Sequence, residues 1–411
     1  MVNIHPKTNL SNDIIKGLIE FCYKQFEIKT MKQLFYSLLS IQFLIACNSY
    51  ESKRSATELT ERMKQIDGLI NQYHSKDRFH GEVVISHFGE FIYESYIGIA
   101  DRTWNIPFDD DIKMDIASVN KSMIAALILK AEEEDLLSLD DRLVDLLANY
   151  SYQGSFHPDI SLHNLLNQSS GIGDYGDLSD EFKKNNFRDF KRLHFTHQEY
   201  IDFISQIQVR GEPGDQFYYS NFGYHLLGIV LSNIYDQPFD LILKKKLTEP
   251  LGLKNTVSSN RNDITIPNLA KAYNLDSQSG RWLENNYIDL SLGHRIFSTA
   301  SDLNRWAQVL NNPGWLSESS LDLMRRNYYA NTEQNISYGY GWVVIEENDP
   351  KIHGNLGIDL PYIIHGGSTE GYKSMLINID YGKYVISFLS NVGNQTNELE
   401  LAHNIVKLLL K

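Results

Sequence analysis

Cysteine is nearly absent from this chain. Its 411 residues contain two, Cys22 and Cys47, and both precede the region with globular patterning. That rules out a disulfide framework or a cysteine-based metal site in the body of the protein. The 13 histidines show no His-Glu-x-x-His or similar paired spacing, so no metal and no other cofactor is expected. Basic charge is also scarce. There are 38 Lys and Arg against 52 Asp and Glu, a formal net charge of −14 with no long basic run, which argues against nucleic acid as a partner. No internal repeat at solenoid spacing is present. The longest apolar run is about a dozen residues, too short to span a bilayer comfortably.

What remains is an ordinary globular composition, 42% hydrophobic and 22% charged. An aromatic share of 12%, with 24 Tyr and 19 Phe, suits a large core and an aromatic-lined cleft. Apolar residues at helical spacing predict a helix over 60–75. Two strand-like runs, 81–86 and 90–98, are separated by His87-Phe88-Gly89 and read as a hairpin. The chain from Val119 to about Lys254 reads mainly as helix. Strand character returns at 341–346, 362–365, 373–379 and 384–389, and a closing helix is predicted over 397–410. This order predicts an α+β fold: an antiparallel sheet built from both chain ends, flanked by helices, with a mainly helical region inserted. The α/β part is assigned to 61–117 and about 330–411, and the helical part to about 118–329. The crevice between them is the natural place for a pocket.

Three short motifs carry chemistry. Ser118-Val-Asn-Lys121 puts a hydroxyl and an amine at i and i+3, on one face of an apolar helix. A lysine there reaches the serine oxygen and, when its amine is neutral, can take its proton, which is the minimum for acyl transfer. Tyr219-Ser220-Asn221, read as a loop, sets a phenol and an amide two residues apart so that both can point one way, and a phenol beside a cation can pass protons. His365-Gly366-Gly367-Ser368 ends an apolar strand. Paired glycines let a substrate lie against the strand backbone and leave the Ser368 amide free to donate.

In this order the three motifs resemble those of the serine β-lactamase and penicillin-binding-protein superfamily, with the strongest likeness to its class C β-lactamase, D-alanyl-D-alanine carboxypeptidase and carboxylesterase branch. The resemblance covers about residues 62–411 and includes His163–Ile172, Tyr219–Gly228, Glu249–Thr256, Ile296–Trp306 and Tyr338–Trp342. It implies a β-lactamase/transpeptidase-like fold and a serine hydrolase acting on amides or esters, with β-lactams, peptides ending in D-amino acids and carboxylic esters as substrate classes. It further implies that Ser118 is acylated and that Lys121 and Tyr219 move its proton. Asn221 would hold Lys121 and the substrate, and the backbone amides of Ser118 and Ser368 would form an oxyanion hole lined by Gly366 and Gly367. His365 stands where many members carry lysine, and Gly366 where they carry threonine. Both departures weaken the expectation of strong β-lactam turnover without touching acylation. A penicillin-binding or sensing protein with little turnover is the alternative. His294 lies in a segment that borders the cleft in the family and is a candidate for substrate contact, whereas His163 is read as a structural loop residue.

The N-terminus reads as an address. Lys32 precedes an apolar run ending in Leu44-Ile45-Ala46-Cys47, which resembles the lipobox of bacterial lipoproteins. On that resemblance residues 31–46 are a signal peptide starting at Met31, residues 1–30 an upstream extension, and Cys47 the lipidated first residue of a tether over 47–60. The hydrolase domain, 61–411, would then sit outside the cytoplasm in the bacterial cell envelope or periplasm, held to the membrane by a lipid. A buried helix with an incidental cysteine, or an uncleaved anchor read from Met1, are the alternatives.

Overall fold

The computed structural model describes residues 57–178, 195–261, 263–285, 294–330, 334–369 and 371–411, with a few residues between 16 and 26. Cys22, Cys47, the apolar run and most of the tether lie outside the described residues. The chain divides into a smaller unit, Met1–Lys64, and a larger one, Gln65–Lys411. Among the described residues no helix is long and apolar enough to cross a membrane.

The larger unit is organised on an antiparallel sheet that has six strands among the described residues. Their order is Val343–Ile345, Tyr362–Thr369, Tyr372–Ile379, Tyr384–Ser390, Gly81–His87 and Glu90–Ile97. The join between chain ends is in register along its whole length, from Gly81 opposite Ser390 to His87 opposite Tyr384. The two strands at this join are almost wholly buried, while Glu90–Ile97 at the edge is half-exposed.

Alternation along the strands sorts side chains onto two faces. On one face the Ser387 hydroxyl donates to the Ala300 carbonyl at 2.7 Å, tying the sheet to the helix Ala300–Val309. On the other, Phe388 meets Phe79 edge-on with ring centroids 6.3 Å apart. The Tyr73 phenol, at the end of the helical run 57–74, donates to Glu400 of the closing helix Glu398–Leu409 at 2.9 Å. Helices therefore flank the sheet, as expected for this α+β architecture.

The inserted region is helical around one central element, Asn120–Glu133. Its run Met123–Leu129 is apolar on every side and fully buried, as a helix enclosed by neighbours must be. The long helix Asn221–Tyr235 packs beside it. Strands also occur here: Met114–Asp115, Arg295–Ser298 and Val257–Ser259 form a small sheet, and Ala272–Leu275 pairs with Trp282–Asn285. These pieces of two to four residues are too short to show periodicity.

Two of the motif-bearing segments differ from their expected form. The strand expected over 362–365 continues through both glycines to Thr369, because residues 365–369 pair fully with Tyr372–Leu376. Tertiary pairing overrides the poor strand propensity of glycine. Asn221 is also not in a loop. It is the first residue of its helix, with Ser220 as the cap whose hydroxyl accepts from the Gly223 amide.

Candidate functional site

Ser118 sits in a tight turn, Ala117–Val119, that leads directly into the helix Asn120–Glu133. Ala117 has φ of 48°, a left-handed conformation that costs about 1–2 kcal/mol for a residue with a Cβ. Its neighbours enforce it. The Ala117 amide donates to Asp115 Oδ1 at 2.7 Å, the Ile116 amide donates to the Ile296 carbonyl at 3.0 Å, and the Ile116 carbonyl accepts from the Ser374 hydroxyl at 2.6 Å. Asp115 itself is ion-paired with Arg295, and both are buried.

Around the Ser118 hydroxyl the three motifs converge. Lys121 Nζ lies 3.0 Å from Ser118 Oγ, one helical turn on, and the Tyr219 phenol lies 3.0 Å from the same oxygen. Lys121 Nζ also donates to Asn221 Oδ1 at 2.8 Å and stands 5.0 Å from the centre of the Tyr219 ring. Lys121 is 2% exposed, so its ammonium or amine is held by protein groups rather than by water. Gly341, with φ of 75°, packs so closely on this turn that a Cβ there would fall 2.7 Å from the Lys121 carbonyl.

The strand Tyr362–Thr369 forms the opposite wall. A Cβ at Gly367 would come within 2.6 Å of the Ile116 carbonyl and 2.9 Å of the Ala117 Cβ, so only glycine lets this strand close on the serine turn. His365 is buried beside Tyr338. Its Nδ1 faces the Gly366 carbonyl at 2.7 Å, which can only accept, so Nδ1 carries the proton and Nε2 accepts from the Tyr338 phenol at 3.3 Å. Burial, reinforced by the nearby Lys121 charge, pushes the imidazole down to about 3. His365 is therefore neutral at pH 7 and supplies no positive charge. Burial also raises the Tyr338 phenol well above its usual range, keeping it a donor.

A nucleophile-type hydroxyl with two proton-transfer groups at hydrogen-bond distance, beside a strand edge that has no partner strand from His365 onward among the described residues, is an arrangement suited to acyl transfer. The β-lactamase family model matches residues 61–410. The chain belongs to the β-lactamase family. It is 26% identical over 351 residues to penicillin-binding protein 4* of Bacillus subtilis (strain 168), covering 82% of this chain and 73% of that one. It is also 25% identical over 346 residues to protein flp of Staphylococcus aureus (strain MW2), spanning 82% of this chain but 64% of that longer relative.

Among solved structures, the octameric penicillin-binding protein homologue from Pyrococcus abyssi matches with a TM-score of 0.69 at 23% identity, over 84% of this chain and 77% of its own. EstCE1, a hydrolase with promiscuous acyltransferase activity, matches with a TM-score of 0.70 at 20% identity, over 87% of this chain and 100% of its own. These structural likenesses establish the β-lactamase and penicillin-binding-protein fold.

Other residues frame the cluster around Ser118. Asp174 was not singled out from the sequence, although it stands just past the quoted segment that ends at Ile172. Its Oδ2 accepts from Asn221 Nδ2 at 3.0 Å and its Oδ1 from the Asn221 amide at 3.1 Å. A carboxylate only accepts, so it fixes the Asn221 side chain with its carbonyl toward Lys121. Arg210 donates to the Tyr219 carbonyl at 2.9 Å and is ion-paired with Asp177. His294 does not stand at the serine. Its ring stacks on Phe239 and lies 4.6 Å from His225, and its carbonyl accepts from Asn120 Nδ2 at 2.9 Å. His163, read from the sequence as a structural loop residue, lies instead in the short helix Leu162–Leu166, where its ring bridges Tyr340 and Asn167.

Proposed function

We propose that the chain is a serine hydrolase working through an acyl-enzyme on Ser118, with esters and uncharged amides as the favoured substrates. The observation that carries this reading is the convergence of Lys121, at 3.0 Å, and Tyr219, at 3.0 Å, on one serine oxygen, with Asn221 holding Lys121 at 2.8 Å. Ser118 Oγ attacks the substrate carbonyl and its proton passes to Lys121 or Tyr219. The backbone amides of Ser118 and Ser368 receive the oxyanion, while Gly366 and Gly367 let the substrate lie on the strand. Tyr219 then returns the proton to the leaving group, and water admitted on the same side releases the acyl group.

One feature favours uncharged substrates over β-lactams and D-amino-acid peptides, whose carboxylates need a cationic partner. His365, which lines the same cavity as Ser118, is neutral and offers none. The names of the relatives, two penicillin-binding proteins and a hydrolase with acyltransferase activity, support an acyl-accepting site in general.

The test is hydrolysis of p-nitrophenyl acetate by wild type and Ser118→Ala, beside intact-mass spectrometry after exposure to a fluorescent penicillin. Turnover lost by at least about a thousandfold in the variant is the expected result, on the scale set by removing a covalent nucleophile. Equal rates would refute the assignment of Ser118. A stable Ser118-dependent penicillin adduct without ester turnover would favour the alternative, a penicillin-binding or sensing protein. We propose further that Cys47 carries a lipid that tethers the domain to the bacterial envelope outside the cytoplasm. The same mass spectra, taken on protein extracted from membranes, should show a chain that starts at Cys47 with acyl mass added. An unmodified chain starting at Met1 would refute the lipid at Cys47 and favour an uncleaved anchor.

A further inference from the structure

Two cavities of opposite kind meet at Ser118. The larger, about 460 Å3, is walled by Phe217, Ile336, Val343, Ile364, Met375 and Leu399, within the size range of small-molecule sites. The smaller, about 60 Å3, is walled by polar groups that include Lys121, Asn221, Arg295 and Thr369. It has room for little more than a few waters.

The large cavity owes its reach to a bare strand edge and a missing side chain. Val343–Ile345 pairs with Tyr362–Thr369 only as far as Ile364, so from His365 onward that edge has no partner strand among the described residues. At Gly366 the cavity passes around the edge toward the closing helix. A Cβ there would stand 3.3 Å from Met375 Cε and 3.8 Å from Glu398 Cγ, so any larger residue would narrow the passage. Glu398 is already paired with Lys373 at 3.2 Å, which leaves neither charge to select an ionic group.

The residues on each cavity assign the two sides of a substrate. Tyr219, which would protonate the departing group, lines the large cavity, whereas Lys121 and Asn221 line the small one. We infer that the large cavity takes an apolar leaving group, so that the preferred substrates are small-acyl esters of hydrophobic alcohols. This rests on the hydrolase reading above. In the reaction the Ser118 oxygen bonds to the acyl carbon as the acyl–oxygen bond to the alcohol breaks. The serine proton ends on the alcohol oxygen, and water then cleaves the acyl-serine to a small carboxylic acid and free Ser118.

The experiment measures kcat/KM for methyl to octyl acetates and for methyl acetate to methyl octanoate. Along the alcohol series the expected rise is about fourfold per methylene until the cavity is full, the equivalent of about 0.8 kcal/mol each. The acyl series should stay flat or fall. Leu399→Trp, which fills the cavity from the closing helix, should lower the hexyl-to-ethyl acetate ratio by about fifteenfold, the loss of two methylenes. Leu399→Ala should move the ratio the other way. An acyl series that climbs as steeply as the alcohol series, or a ratio indifferent to both variants, overturns the inference. Binding to Ser118→Ala, followed by saturation-transfer NMR, separates this inference from the hydrolase reading. Equal binding of ethyl and hexyl acetate overturns the apolar site whatever the turnover. Tighter binding of hexyl acetate with no wild-type turnover of any ester keeps the site and refutes the hydrolase.

Discussion

Replacing Asp174 by alanine probes how the site keeps its asparagine the right way round. The carboxylate accepts twice from Asn221, at 3.1 Å from the backbone amide and 3.0 Å from Nδ2. Without it, the Asn221 amide can turn through 180° and present its NH2 group to Lys121, a contact between two donors. A hydrogen bond to a charged group is worth about 1.5–3 kcal/mol, and water recovers part of that at this half-buried position. Taking about 1.4–2.8 kcal/mol as the loss felt in the transition state, kcat/KM should fall by about 10- to 100-fold. Asp174 also sits at the positive end of the helix Asn221–Tyr235, so stability should drop by about 1 kcal/mol. The assay is ester hydrolysis with the acylation rate read by rapid-quench mass spectrometry, and thermal melting as the control for folding. Asn221→Ala should be at least as impaired. The double variant should be no worse than Asn221→Ala alone, because the two residues act as one unit. A fully folded Asp174→Ala protein with kcat/KM within twofold of wild type, or additive losses in the double variant, would refute the positioning role.

Two further outcomes follow from the strand wall. Gly367→Ala puts a methyl against the Ile116 carbonyl and the Ala117 side chain, so it should cost about 1–3 kcal/mol in chemical denaturation and abolish ester turnover by pushing the strand off the serine turn. Retained activity at wild-type stability would show that the wall is not so close. For His365 the folded value of about 3 lies below the ordinary 6.5, so between these the unfolded chain binds the extra proton. Its contribution to stability is therefore complete above pH 6.5 and is lost as pH falls, by about 2 kcal/mol at pH 5. His365→Asn should flatten the stability curve by that amount between pH 6.5 and 5. An unchanged slope would mean that the imidazole is not buried neutral.

The sheet and the closing helix were legible because their strands are long and apolar and their boundaries carry clear signals, such as Asn397 capping Glu398–Leu409. Ser118 and Lys121 were legible because helical geometry alone brings i and i+3 together. The approach of Tyr219 and Asn221 to that pair, across about a hundred residues, could only come from family resemblance. Sequence spacing holds no trace of it. Asp174 was missed for a related reason. An acidic residue in a glycine-rich turn looks like solvated surface until its partner, the first residue of a distant helix, is placed against it. The strand through Gly366 and Gly367 was cut short because glycine weakens strand propensity, and only the pairing partner Tyr372–Leu376 reveals it.

The pairing of Gly81–His87 with Tyr384–Ser390 has a consequence for how the molecule comes into being. The two strands stand at opposite ends of this fold, one before the inserted region and one after it, so a chain emerging in sequence order cannot close its central sheet until that whole region has been made. Until then the strands Gly81–His87 and Glu90–Ile97 form a hairpin with an open apolar flank, and the serine turn has no strand to lean on. Contacts of such long range make folding slow, because the loop-closure entropy comes first and the burial that offsets it comes last. The connectivity thus delays compaction of the central sheet until both of its halves have been made. It also means that no shortened product lacking the final strands can hold both Ser118 and its opposing wall.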